Sequence, residues 1–432
     1  MYQRNGKDGI TEILSGGGLD SRLAEIYGAP EDRTAVYARR FLKAVEGFER
    51  EFPDNKSEEI GLFTAPGRTE IGGNHTDHQL GCVLAGSVDM DIIAAAAPNG
   101  RDDIRFYSEG YGLISVNLNR YVPQMDETGT TAALIRGVAA KLASEQYPVL
   151  GFDAYCISDV PGGSGLSSSA AFETLIGNIV NHMDCEDRLT PVQIAKIGQY
   201  TENIYFGKPS GLMDQMASSV GGIIAIDFQD KDDPKIEKLD YKFADSGYAL
   251  CIVDSRSSHE DLTADYAAIP EEMGKIAAYF GKDVLRQVPE EEFLAAIPQL
   301  REKYPDRAVL RAVHFFNDNR RAQEEAQALR DGDFDAFLAL VNESGQSSVM
   351  CLQNIWQNGN SDNQAMAVAL ALCEEALDRT GACRVHGGGF AGTVQAFVPN
   401  DRLDHFKSVI DGALGAGSCH VLSIRPIGGA VV

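Results

Sequence analysis

The chain has 432 residues, enough for two or three domains each with its own core, and 44% apolar against 23% charged residues is the composition of a globular protein. The formal net charge of −25, from 63 acidic and 38 basic residues, argues against a nucleic-acid partner, because nothing would replace the counterions of its backbone. A phosphorylated ligand would need a local positive site and magnesium to overcome that field.

No apolar run reaches the roughly 18 residues of a membrane helix, and the first residues lack the apolar core of a signal peptide. Eight cysteines without a C-x-x-C pair read as reduced thiols. A cytoplasmic protein is expected, with no membrane partner and with a monomer favoured.

Residues 1–57 read as an N-terminal appendage. A Gly16-Gly17-Gly18 loop is followed by a helical pattern through Tyr37, Phe41, Val45 and Phe48, and a polar run closes it. A first lobe is expected over 58–235 and a second over 236–432, divided at the charged stretch 229–238. Residues 60–65 read as a strand leading to Pro66-Gly67-Arg68. The segment from there to Gly81 is poor in bulky apolar residues and carries Arg68, Glu70, Asn74, His75, Thr76, Asp77 and His78. Residues 83–97 read as one or two buried strands.

A helix through Ala132, Leu134, Val138 and Leu142 precedes an alternating run over 151–160. That run feeds Gly162, Gly163, Ser164, Gly165, Leu166, Ser167, Ser168 and Ser169, and an apolar helix follows. Strand, glycine-rich loop and helix start is an arrangement that suits phosphate: glycine lets backbone approach a ligand, and the first helical turn offers unpaired N–H donors. The serines can cap the helix or ligate magnesium. Two familiar loops do not fit. A Walker loop needs Lys and then Ser or Thr after its last glycine, and the dinucleotide fingerprint needs glycine where Ser168 stands.

Thr190-Pro191 marks a helix start, and that helix carries Glu202. After a break at Gly207-Lys208-Pro209, Ser210 is a candidate cap that would put Asp214 in the first turn of the next helix. Beyond the charged stretch come a strand over 248–253 and several amphipathic helices between about 262 and 380. A second glycine loop, Gly387-Gly388-Gly389-Phe390-Ala391-Gly392, follows, then an alternating strand, a helix and a last strand. The pattern is that of an α+β protein of two lobes. Cys383 and His386 read as packing and rim residues, and two histidines three apart at 75 and 78 are a poor metal site without a third ligand.

Three of these stretches resemble the signatures of the galactokinase branch of the GHMP small-molecule kinases. The first family motif reads approximately PGRVNLIGEHTDY and corresponds to residues 66–78. The second, GLSSSA, is residues 165–170 without change. The third, GGGFGG, is residues 387–392 with Ala391 for one glycine, and the family's GxxDQ matches 211–215. The resemblance covers about residues 60–432. It implies a two-lobed GHMP-kinase-like α+β fold, with mixed and antiparallel sheets, helices on one face and the active site between the lobes.

The implied activity is ATP-dependent phosphorylation of a sugar at its anomeric hydroxyl. Galactose is the expected substrate, N-acetylgalactosamine or another sugar the alternative, and an inactive sugar- and ATP-binding regulator the non-enzyme reading. By position, Asp214 lies beside the anomeric hydroxyl and Arg68 beside it and the transferring phosphate. Asp214 is then either the base or a positioning carboxylate. Asn74, His75, Asp77, Gly211 and Tyr266 match sugar-binding positions. Gly162 to Ser168 would wrap the phosphates of ATP and Gly387, Gly388 and Gly389 would close the far side. Ser169 and Glu202, with Ser168 a further candidate, match the Mg2+ ligands.

The chain departs from the family pattern in places. Asn74 stands where the motif has Glu, and Glu70 where it has Asn. Tyr266 is followed by AAIPEEM rather than paired arginines, and residues 131–134 lack an aromatic for the adenine.

Overall fold

The computed structural model describes residues 1–6, 9–161, 165–208, 210–257, 262–357 and 361–432. Its largest sheet contains β1 (Tyr2–Gln3), β2 (Glu59–Gly72), β3 (Cys82–Pro98), β4 (Asp103–Ser108), β5 (Gly112–Asn117), β6 (Phe152–Ser158), β7 (Ile223–Asp227) and β8 (Lys235–Leu239). A second sheet contains β9 (Tyr248–Asp254), β10 (Ala382–His386), β11 (Thr393–Pro399) and β12 (Cys419–Leu422). The last strand, β13 (Ala430–Val431), returns to pair with β2.

The large sheet runs β1-β2-β3-β6-β4-β5. β7 pairs with the start of β3, β8 pairs with β7, and every pairing is antiparallel except β4 with β6. The smaller sheet is antiparallel in the order β10-β11-β9-β12.

The β2–β3 ladder is the spine. Residues 60–72 are all buried, so the strand read over 60–65 continues to Gly72, and 83–97 is one strand rather than two. Register shifts between Pro66 and Arg68 and between Glu70 and Gly72 bend the ladder. At the first shift the Arg68 N–H leaves β3 and donates to the Leu166 carbonyl of the glycine loop at 2.9 Å.

Alternation along β2 and β3 gives the sheet two apolar faces. Phe63, Ala65, Ile92, Ala94 and Ala96 face α4 (Thr131–Ser144) and α5 (Ser168–Asp184). Leu62, Ile93, Ala95 and Ala97 face the N-terminal helices α1 (Ile10–Ser15), α2 (Asp20–Tyr27) and α3 (Ala35–Glu51), which bury Phe41, Val45 and Phe48. The segment expected as an appendage therefore supplies a second covering layer. Buried Asp91 pins it, accepting from Tyr27 Oη, Thr64 Oγ1, Arg40 and Arg425.

The division expected after residue 235 falls within β8, which stays in the large sheet. The chain between β9 and β10 forms α8 (Thr263–Tyr279), α9 (Glu290–Lys303), α10 (Asp306–Asp331), α11 (Phe334–Ser347) and α12 (Ala365–Leu377), and α13 (Leu403–Leu414) follows β11. α11, α12 and α13 pack on the smaller sheet, α8 and α9 pack on α10, and α10 also packs on β3, joining the two halves. Among the described residues no helix is long and apolar enough to cross a membrane. All eight cysteines are free and buried.

Candidate active site

α5 starts at the glycine loop. Gly165 takes a φ of +72°, which favours glycine, and a Cβ there would press on His386 Nδ1 and Thr393 Oγ1 at 3.1 Å. Gly162, Gly163 and Ser164, expected at the phosphates, lie outside the described residues. Ser167 precedes the helix in a left-handed conformation and does not cap it. Its hydroxyl instead donates to Asp214 Oδ2 at 2.7 Å.

Asp214 sits in the first turn of α7 (Met213–Val220), as the sequence reading expects, but Leu212 rather than Ser210 precedes the helix. Ser210 is held back by its own N–H, which donates to Asn203 Oδ1 at 2.7 Å. The other Asp214 oxygen, Oδ1, accepts from Arg68 Nε at 2.7 Å, and Arg68 Nη1 donates to the Gly165 carbonyl. Burial opposes ionisation of Asp214. The Arg68 guanidinium, Lys208 and the Ser167 hydroxyl nonetheless hold its carboxyl below the usual range.

The helix started by the Thr190 capping box, α6 (Pro191–Thr201), runs into a π turn that opens with Glu202. Glu202 Oε1 accepts from Ser169 Oγ at 2.9 Å and Lys208 Nζ at 3.0 Å, and Oε2 accepts from Gln215 Nε2 at 2.8 Å. Glu173, behind Gln215, is pushed well above the carboxylate range by burial and by the charge of Glu202. The Ser169 and Glu202 oxygens are adjacent hard donors. Among the described residues no group of three or more His, Cys, Asp or Glu side chains could hold a metal. Magnesium needs no such cage, because it keeps waters and takes substrate phosphates beside one or two protein oxygens, so this pair fits it.

Asn74, expected at the sugar, is fully buried, and its side chain is consumed within the protein. Nδ2 donates to Glu70 Oε1 (2.8 Å) and the Gly387 carbonyl (2.7 Å), and Oδ1 accepts from Asn354 Nδ2 at 2.9 Å. Its N–H donates to Asp318 Oδ2. Glu70 in turn pairs with fully buried Arg384. His75 lies 3.0 Å from the Gly388 carbonyl through Nε2. The Tyr266 ring lies against Gly388, where a Cβ would meet Cε1 at 2.7 Å, and its hydroxyl donates to the Gly389 carbonyl at 2.8 Å. Burial raises that phenol to about 12.

Asp77 and Gly211 meet closely: a Cβ at 211 would stand 2.4 Å from Asp77 Oδ2. Burial raises the Asp77 carboxyl, with His75 opposing and Glu70 adding to the shift. A groove of about 930 Å3 passes Asp77, Ser210 and Gly211 and leads outward past Tyr200 and Lys196. Burial lowers His78, on the same wall, to about 3, so it is neutral.

Two residues to which the sequence reading gave no part in the site belong to this region. His386 is buried, not a rim residue, and ties all three motifs together. Its Nε2 accepts the Glu70 N–H at 3.2 Å, so Nδ1 carries the proton and donates to Thr393 Oγ1 at 2.9 Å, next to Gly165. Burial and the nearby Arg68 and Arg384 charges keep it neutral. Lys208, read as part of a chain break, reaches Glu202.

The geometry brings together residues 68, 167, 169, 202 and 214 around the start of α5, with 75, 77, 211, 266 and 387–389 on neighbouring walls. Comparison with known proteins bears on family and fold. The family model "GHMP kinases N terminal domain" matches residues 133–222, and "Galactokinase galactose-binding signature" matches 46–98. A galactokinase of Actinobacillus pleuropneumoniae is 30% identical over 354 residues, covering 80% of this chain and 87% of that protein. One from Streptomyces coelicolor is 29% identical over 362 residues, covering 83% and 90%. The structure of Lactococcus lactis galactokinase complexed with galactose superposes with a TM-score of 0.77 at 24% identity, covering 90% of this chain and 99% of that one. On fold, motifs and sustained identity, the chain belongs to the galactokinase family of the GHMP kinases.

Proposed function

We propose that the protein transfers the γ-phosphoryl group of ATP to the anomeric hydroxyl of a hexose, converting galactose to galactose 1-phosphate. The observation that carries this reading is Asp214, held ionised between Arg68 and Ser167 where the glycine loop enters α5. Phosphoryl transfer asks little covalent chemistry of a protein; it asks for positioning and for charge stabilisation. A carboxylate of lowered pKa is a weak base and a good hydrogen-bond acceptor. Asp214 therefore orients the sugar hydroxyl, and Arg68 faces the charge that develops on the transferring group. The α5 N-terminus and the loop backbone receive the phosphates. Ser169 and Glu202 would hold Mg2+, which would supply neutralising charge for the phosphates.

Asp77 accepts from ring hydroxyls at the groove, and the absence of a side chain at Gly211 leaves room for its carboxylate. His75 and Tyr266 meet at Gly388 and Gly389, His75 through the Gly388 carbonyl and Tyr266 through that of Gly389. Asn74 acts by fixing Gly387 and Glu70 rather than by touching sugar. Because its amide is engaged inward, it gives no specific support to an N-acetylated substrate, whereas the galactose-binding signature over 46–98 supports galactose.

A coupled ADP-release assay with MgATP across free sugars tests this. Turnover with galactose well above glucose and N-acetylgalactosamine is expected. Turnover confined to another sugar would overturn the galactose assignment, and none on any sugar despite bound ATP would overturn the kinase.

A further inference from the structure

A chain with a net charge of −25 must bind a highly charged triphosphate, so the placement of each cation near α5 matters. Arg68 is committed to Asp214 and to the Gly165 carbonyl. Lys208 is placed differently. The π turn Glu202–Phe206 is closed by Gly207 at φ +84°, and the Lys208 N–H donates to the Glu202 carbonyl at 3.0 Å. This reversal folds the lysine back over the residue that opened the turn and sets Nζ 3.0 Å from Glu202 Oε1.

The two partners differ in freedom. The Glu202 side chain is 0% exposed and fixed by Ser169 and Gln215, whereas that of Lys208 is 56% exposed. The lysine approaches from the open side on a flexible stem with three rotatable donors. It shares one carboxylate oxygen with the Ser169 hydroxyl, and that oxygen pair is the one suited to a divalent cation. The field of Lys208 also reaches Asp214, which places it beside the reacting centre.

We propose that Lys208 is a phosphate ligand for the bound nucleotide. In the free protein it rests on Glu202, and when the triphosphate arrives Nζ exchanges the carboxylate for a phosphate oxygen, leaving Oε1 and Ser169 Oγ to the metal ion. With the metal ion bound this keeps Glu202 paired in both states, and it adds to the positive charge that Arg68 supplies beside Asp214. The inference rests on the kinase reading for the identity of the ligand.

The test is calorimetric titration of metal-free ATP, with chelator present, into the full chain as wild type, Lys208→Met, Lys208→Gln and Lys208→Arg, with galactose titrated in parallel. Loss of Lys208 should weaken metal-free ATP about tenfold or more, the cost of one strong charged contact. Galactose affinity should stay within about twofold and arginine should restore most of the loss. Added magnesium should shrink the difference, because the ion takes over the charge. Equal affinity for metal-free ATP in wild type and both neutral variants, with unchanged melting temperatures, would overturn the proposal, as would no binding of metal-free ATP to the wild type. Since these readouts are of binding, a protein that holds ATP through Lys208 yet phosphorylates no sugar would overturn the kinase reading alone.

Discussion

The side-chain amide of Asn74 donates to Glu70 Oε1 at 2.8 Å, joining a carboxylate and an amide four residues apart in one buried hydrogen bond. The motif this stretch resembles carries the same two residue types in the opposite order. The exchange keeps one charge and one amide, and Arg384 pairs with that charge where it now stands.

Asn74→Glu would set a second carboxylate against Glu70 with no added cation. An uncompensated buried charge costs about 3–5 kcal/mol. Urea unfolding should show that loss, and Glu70→Asn combined with it should recover part. A single variant as stable as wild type would contradict this arrangement.

Asp214→Asn should lower kcat about 10³-fold, the scale of losing one aligned transition-state contact. Stability should fall by only about 1–3 kcal/mol, because Arg68 keeps its bond to the Gly165 carbonyl. The wild-type carboxyl titrates below the ordinary value of 3.8, so it is ionised above that and takes up a proton only as pH falls through its lowered pKa. The rate should therefore show no Asp214 limb between about pH 6 and about pH 8. A kcat limb in that window that vanishes in the variant would contradict the positioning role.

Gly211→Ala would drive a Cβ to within 2.4 Å of Asp77 Oδ2, and the carboxylate must shift. KM for the sugar should rise about tenfold or more with ATP affinity unchanged. Equal loss for both substrates would place Asp77 elsewhere in the mechanism.

Glu325 is a buried acid with neither carboxyl oxygen paired among the described residues, set against Gly72. Burial raises its pKa well above 4.5, with Arg384 opposing. Below 4.5 both folded and unfolded chains hold the proton. Above it only the unfolded chain releases it, so stability declines by up to about 1.4 kcal/mol per pH unit until the folded pKa is reached. Glu325→Gln removes that term. Its melting temperature should gain on wild type as pH rises above 4.5 toward the raised folded pKa, and a constant difference would mean the carboxyl is ionised in the fold.

Local features were legible in the sequence. The glycine loops, the Thr190-Pro191 cap and the first-turn position of Asp214 depend on neighbours within a few residues. Contacts between distant segments were not. Nothing at 74 announces partners at 318 and 354, and His386 reaches Glu70 only because β10 and the bent β2 come together. The N-terminal helices showed an apolar stripe, but the face that receives it is alanine-rich β3, which a reading by residue size passes over. Lys208 read as a break because the π turn that redirects it leaves no mark beyond Gly207.

The central claim is that Asp214 and Arg68 direct a phosphoryl group to the anomeric oxygen of galactose. The most direct measurement is phosphorus NMR, with proton coupling, on the product of galactose and MgATP for wild type and Asp214→Asn. A phosphate coupled to the anomeric proton in the wild type, and nearly absent in the variant at matched time, is the predicted result. Phosphate on another carbon, or equal product from both proteins, would contradict it.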